Sequence, residues 1–262
     1  MKITVVQPCY REKDEAIAAF LMKALEQAEE GELIVLPEYS NAGGLSDPQE
    51  ELAAVPRAAG MLEKASAIAK AKRAYVAINV LEEREGKLRN STYLFDTKGE
   101  PAFVYDKIHL PPSEVALDMV PGDGACVCDL DGIRFGFMTC YDIYYNEQVE
   151  FLASQKPDII ILPSLQRGER VDIVRAQIKL LSFRCNAFTA RSSMSMESEE
   201  KGGCSMIVAS DGQILCDLGK DVGAVSAEID PKQKHLRPAG FGCGMVRNDA
   251  FIDMGLRPEV FR

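Results

Sequence analysis

Short apolar runs that stop abruptly at a polar residue constrain this chain more than any other feature. Leu33-Ile34-Val35-Leu36 has no polar face and ends at Pro37, the pattern of a strand covered on both sides. Ile159-Ile160-Ile161-Leu162 repeats it. Between such runs the apolar period changes to 3.6. Asp14 to Glu30 places Ile17, Phe20, Leu21, Ala24, Leu25 and Ala28 on one helical face before Gly31. Helices alternating with apolar strands make this an α/β chain.

The same reading gives strands at 2–6, at Tyr75 to Val80, and at Thr92 to Phe95 and Ala102 to Tyr105 around the turn Thr97-Lys98-Gly99-Glu100, the last two as antiparallel neighbours. Further strands are expected near 125–129, 133–138, 187–191, 204–209, 213–217 and 223–229. Helices are expected at about 50–72, 146–155 and 171–185, and a proline-rich loop at 108–124. At roughly 150 residues per domain, 262 residues amount to about 1.7 domains. No linker or low-complexity break interrupts the alternation, which points to one domain over 1–262. From about Pro231 to Arg262 the periodicity fails, with Pro231, Pro238, Pro258 and four glycines between 240 and 255. This irregular tail carries Phe241, Met245, Phe251, Ile252 and Phe261, apolar residues that need cover, and such a segment packs on a neighbour or a partner subunit, or frays.

Charge narrows the partners. Lys plus Arg at 30 against Asp plus Glu at 40 leaves −10, which argues against a general phosphate-backbone binder and against a basic membrane-surface anchor. At 47% hydrophobic and 27% charged residues the chain reads as folded and soluble. No stretch approaches the ~20 apolar residues of a membrane span, and Met1 to Gln7 leads into strand-like sequence without a signal-peptide core. The expectation is a cytoplasmic protein whose eight cysteines are reduced thiols. Cys126-Val127-Cys128 lacks metal-ligand spacing and His109 and His235 are far apart, so no metal is expected. The glycines of Phe241-Gly242-Cys243-Gly244 are not in a strand-turn-helix unit, so no dinucleotide cofactor is expected either. Asn90-Ser91-Thr92 fits a glycosylation sequon and reads, without secretion, as a strand-edge polar cluster.

Three polar residues stand where an apolar strand stops: Glu38, Lys107 and Cys140. In an α/β sheet, ligand chemistry gathers at strand carboxyl ends, where loops expose side chains that the strands fix. A carboxylate, an ammonium and a thiol meeting there supply a base, an electrostatic stabiliser and a nucleophile, the parts of covalent acyl transfer. Each alone has a structural reading: a core cysteine, a loop carboxylate, a solvated lysine.

The local sequence around all three resembles the nitrilase superfamily of carbon-nitrogen hydrolases. Leu36-Pro37-Glu38 is similar to the family's glutamate motif, Tyr105-Asp106-Lys107-Ile108-His109-Leu110 to its lysine motif, and Thr139-Cys140-Tyr141-Asp142 with Glu147 to its nucleophile motif. Asn90-Ser91, Pro121-Gly122-Asp123, Ile161-Leu162-Pro163-Ser164 and Gly203-Cys204-Ser205 extend the likeness along the chain. The resemblance implies a four-layer α-β-β-α sandwich with mixed sheets, and a homodimer. It implies Glu38 as general base, Cys140 as nucleophile and Lys107 as stabiliser, acting on a small amide, carbamoyl compound or nitrile without a cofactor. It also implies Glu114 as a second glutamate orienting substrate and water. The backbone N–H of Tyr141 is the natural partner of Lys107 in an oxyanion hole, and Lys107 near Cys140 is expected to favour the thiolate.

One departure bears on substrate. Tyr144 stands where amidase members carry an arginine, whereas Asp142 after Tyr141 resembles amidases rather than true nitrilases. A phenol in place of a fixed cation points to neutral or positively charged amides, unless Tyr144 only replaces a packing contact to Glu147. Ser164 to Glu169 and Arg191 to Met196 are expected to rim the pocket, with Arg167, Arg170 or Arg191 able to pair with a substrate carboxylate or to lie on an exposed helix face. The rival readings are a non-catalytic protein that keeps the fold for partner recognition, and a nucleotide-binding α/β domain.

Overall fold

The computed structural model describes residues 1–124, 126–257 and 260. In chain order the strands are β1 (Lys2–Gln7), β2 (Leu33–Val35), β3 (Tyr75–Arg84), β4 (Lys87–Phe95), β5 (Pro101–Asp106), β6 (Val127–Leu130), β7 (Ile133–Phe137), β8 (Ile159–Pro163), β9 (Phe188–Ser192), β10 (Met206–Val208), β11 (Ile214–Asp217), β12 (Gly223–Glu228), β13 (Leu236–Pro238) and β14 (Met245–Arg247). The helices are α1 (Asp14–Leu25), α2 (Pro48–Ala54), α3 (Arg57–Lys72), α4 (Pro112–Val115), α5 (Asn146–Ser154), α6 (Val171–Cys185) and α7 (Asn248–Asp253), with a 3-10 turn at Cys140–Tyr144.

Two six-stranded mixed sheets face each other, in the orders β12-β1-β2-β3-β4-β5 and β11-β10-β9-β8-β7-β6. Each has a parallel centre, β1-β2-β3 in one and β7-β8-β9 in the other, with antiparallel flanks. The period of two explains the layering. Ile3, Val5, Leu33, Val35, Tyr75 and Ala77 enter a core shared with Phe135, Phe137 and Ile161 of the second sheet. Val6, Ile34, Val76 and Ile78, on the opposite face, pack against Ile17, Leu21 and Leu25 of α1 and Met61, Ala65 and Ala69 of α3. On the second sheet, Leu152 of α5 and Val174 and Ile178 of α6 supply the covering layer. Gly136 lets α5 settle closely, since a Cβ there would stand 2.8 Å from Leu152 Cδ1. The four-layer α-β-β-α sandwich implied by the sequence is what the chain adopts.

Three expectations need correction. The helix expected at about 50–72 is two, α2 and α3, interrupted at Val55-Pro56, because proline lacks the N–H that a continuous helix would use. The proline-rich loop contains one helical turn, α4, with Pro at its start. The aperiodic tail is structured: β13 and β14 form a hairpin, α7 follows, and Arg237 lies 4.1 Å over the Phe251 ring. Phe261, one of the tail's apolar residues, lies outside the described residues.

Candidate functional site

The chain turns sharply as it leaves β2. Tyr39 has φ +56°, and Asn79 in the middle of β3 holds the turn: its side-chain Oδ1 accepts from Tyr39 N at 2.8 Å and its backbone carbonyl from Ser40 N at 2.9 Å. Asn79 Nδ2 donates to Asn90 Oδ1 at 2.7 Å. That leaves the Asn90 Nδ2 protons for Glu38 Oε1 at 2.9 Å and Glu114 Oε1 at 3.0 Å. The Asn90 cluster, expected at a strand edge, is fully buried and orients both glutamates, because its strand β4 lies between β3 and β5.

Lys107 leaves β5 with its backbone N–H donating to Asn90 O at 2.9 Å and its carbonyl accepting from Gly122 N at 2.9 Å. Only glycine fits that approach, since a Cβ on Gly122 would stand 2.2 Å from Asp106 O. Lys107 Nζ then donates to Glu38 Oε1 at 2.8 Å and Glu114 Oε1 at 2.7 Å, all three side chains being buried. Burial opposes its charge, but the two carboxylates outweigh that and hold its pKa above the usual lysine range. Burial and Glu38 push the Glu114 carboxyl up against the pull of Lys107. Glu114 Oε1 also accepts from Tyr39 OH at 2.6 Å, while its Oε2 is buried without a partner among the described residues.

Cys140 follows β7 with φ +46° and opens the 3-10 turn, which Thr139 and Asp142 close as a capping box. Asp142 is completely buried. Its Oδ2 accepts from Thr139 N at 2.8 Å and Tyr105 OH at 2.6 Å, and its Oδ1 from His109 N at 2.8 Å and lies 3.1 Å from His109 Nδ1. This one carboxylate ties the nucleophile turn to β5 and to the segment that follows Lys107. Tyr141 N–H, in the first turn of the short helix, has no backbone acceptor among the described residues.

The thiolate expectation is corrected here. Burial pushes the Cys140 thiol well up, and the nearby Glu38 carboxylate, hydrogen-bonded to it, adds to the effect; Lys107 offsets only part. These influences favour the thiol over the thiolate at Cys140. Its sulfur accepts from Leu165 N at 3.4 Å.

Glu38, Lys107, Cys140, Glu114, Tyr141 and Tyr144 line one cavity of about 570 Å³, a size suited to a small ligand. Of the rim expected at Ser164 to Glu169, Leu165 to Glu169 line the cavity, whereas Ser164 is buried away from it. Arg191 to Met196 does not: Arg191 is buried and donates to Gly203 O, Cys204 O and Gln166 Oε1, and Ser192 Oγ donates to Val6 O of the facing sheet at 2.6 Å. Arg170 turns to Asp172, whereas Arg167 stays at the cavity. Tyr144 OH donates to Glu169 and accepts from Gln166 Nε2 at 3.2 Å, so its partners are lining residues and not Glu147. Among the described residues no group of three or more His, Cys, Asp or Glu side chains is placed to hold a metal ion.

A family model described as carbon-nitrogen hydrolase matches residues 2–235. The chain is 26% identical over 238 residues to an (R)-stereoselective amidase from Pseudomonas sp, spanning 89% of this chain and 86% of that protein. It is 26% identical over 162 residues to the 2-oxoglutaramate amidase of Bacillus subtilis, spanning 59% and 61%. Its fold superposes on an amidase of the nitrilase superfamily from Nesterenkonia AN1 with a TM-score of 0.78 at 20% identity, over 100% of this chain and 96% of that one.

Proposed function

Because the chain belongs to the carbon-nitrogen hydrolase family, we propose that it hydrolyses a small amide through a thioester on Cys140. The observation that carries this reading is the buried Lys107 ammonium held between Glu38 and Glu114 in the cavity that Cys140 lines. Glu38 takes the thiol proton as sulfur attacks the amide carbon, a role in keeping with surroundings that favour the thiol over the thiolate. The oxyanion is met by Lys107 and Tyr141 N–H. Glu38 returns the proton to the departing ammonia, then draws one from the water that attacks the thioester, releasing the carboxylic acid and the thiol. Glu114 Oε2, an unpartnered buried acceptor, fits the N–H of an amide better than a nitrile, which has none to give. Every group in this scheme comes from the chain, so the reaction as proposed requires no metal or organic cofactor.

Ammonia release from a panel of small amides and carbamoyl compounds tests the reading. Cys140→Ala and Glu38→Gln should both fold and lose activity, the latter by about 10²–10⁴-fold. Undiminished turnover in Cys140→Ala would remove the thioester. A non-catalytic binding role is disfavoured because a scaffold has no need to bury an ammonium between two carboxylates beside a thiol.

The same proposal includes a homodimer in the cytoplasm. Exposed apolar residues of the tail, Phe241, Met245, Met254 and Leu256, support the first, and eight unpaired cysteines the second. Light scattering at micromolar concentration should give twice the 28.8 kDa of the chain; a monomer would end the dimer proposal.

A further inference from the structure

The carboxylates of the cavity are unevenly neutralised. Of the four that line it, Glu38 and Glu114 share Lys107. Glu51 and Glu169 have no lysine, arginine or histidine nitrogen within 4.0 Å among the described residues. Glu51 projects from α2, whose start is fixed by the Asp47 side chain accepting from Gln49 N at 2.8 Å. Glu169 is oriented by neutral donors only, Tyr144 OH on Oε2 and Arg170 N at 3.0 Å on Oε1, which fix the carboxylate without cancelling its charge. The Arg170 guanidinium is turned away to Asp172 at 2.7 and 3.0 Å.

The remaining lining cation, Arg167, is exposed, donates to Tyr10 OH at 2.6 Å and lies 5.5 Å from that ring's centre. Two cations against four carboxylates leave the lining at 2 − 4 = −2. Burial is the main influence that pushes the Glu51 carboxyl up, with Glu114 and Glu38 adding to it against Arg167. A carboxylate kept partly out of water with no cation in contact is costly unless a ligand brings one.

Resting on the amide-hydrolysis reading, we propose that the preferred substrate is an amide whose acyl chain ends in an ammonium group, seated by Glu51 and Glu169. Tyr144 serves this site through Glu169: its phenol holds the carboxylate toward the cavity, where a cation in its place would cancel it. An anionic acyl end meets like charge at both glutamates.

The experiment separates binding from turnover. Cys140→Ala protein is titrated by calorimetry at low salt with 4-aminobutanamide, 5-aminopentanamide and 6-aminohexanamide, each against the methyl isostere (pentanamide, hexanamide, heptanamide), and with glutaramate as the anionic probe. The best amino amide should bind at least about tenfold more tightly than its isostere, glutaramate should bind worst, and rising salt should narrow the gap. Adding Glu51→Gln or Glu169→Gln should bring the ratio toward one. Equal binding of amino amide and isostere, or a ratio that neither glutamine substitution moves, overturns the inference. Wild-type ammonia release from the same amides reports on hydrolysis independently: charge preference without turnover sinks only the hydrolysis reading, and turnover without preference sinks only this one.

Discussion

The charge on one sulfur sets the order of events at this site. Lys107 alone would draw Cys140 toward the thiolate, but burial and Glu38 work against it, so the proposed mechanism has base and nucleophile act in one step. Glu38→Gln removes the opposing carboxylate and leaves Lys107 facing the sulfur. Alkylation of Cys140 by iodoacetamide, followed by mass spectrometry, should therefore begin at lower pH in the variant, by about one unit or more, even as amide turnover is lost. An onset that stays put or moves upward would contradict the assigned electrostatics. Sequence made Glu38, Lys107 and Cys140 visible as polar residues that end apolar strands, and the resemblance of the motifs around them to a known family implied their roles. What Asn79 and Asn90 do was hidden: Asn90 reads as an edge residue until its neighbouring strands are known, and Asn79 carries no local mark at all. The state of the thiol was hidden for the same reason: a carboxylate 102 positions away (140 − 38) leaves no local mark on it.

At the scale of elements, the site depends on how three segments are joined. Asp142 receives donors from Thr139, Tyr105 and His109, so β5, the segment after Lys107 and the Cys140 turn are tied to one carboxylate. Asp142→Asn would present N–H groups to donors it now accepts from, and should cost about 2–4 kcal/mol with a large fall in kcat/KM. Tyr105→Phe removes one donor and should cost about 1 kcal/mol. Thermal melts and kinetics on both variants check the ranking; equal costs would deny Asp142 its joining role. Element types were legible where the apolar pattern is strong, as a helical period in α1 and α6 and as a continuous run at β2 and β8. The break between α2 and α3 was written in Pro56 but masked by apolar spacing that continues through it. β13 and β14 are three residues each, too short for any period to show.

Across the whole molecule, both sheets contribute to one apolar core, while the tail is held by charges. Asp158 takes Lys232 and Lys234, and Asp249 takes Arg247 at 2.8 Å and Asn186 at 2.9 Å. Burial would raise both carboxyls, yet the Arg134 backbone N–H together with the two lysines holds Asp158 below its usual range, and Arg247 with Asn186 holds Asp249 at about 2. A carboxyl whose folded pKa lies below the unfolded value of about 3.9 stabilises above that pH and loses the contribution as pH falls toward the depressed value. Between about pH 4 and pH 2 the tail should loosen before the sandwich. Hydrogen exchange should show protection lost first across β13, β14 and α7; simultaneous loss in β1 and β8 would place the acid-sensitive contacts elsewhere.

The positive φ of Cys140 has an evolutionary and engineering consequence. A left-handed backbone costs a side-chain-bearing residue about 1–2 kcal/mol and glycine almost nothing. Selection for a sturdier fold would therefore favour glycine at this position, and selection for chemistry forbids it. Cys140→Gly should melt higher than Cys140→Ala, which keeps the strain without the sulfur, by about 1 kcal/mol, and both should be inert. Under the proposed mechanism position 140 cannot be relaxed in an active version of this chain, and stabilising designs have to find their gains away from it.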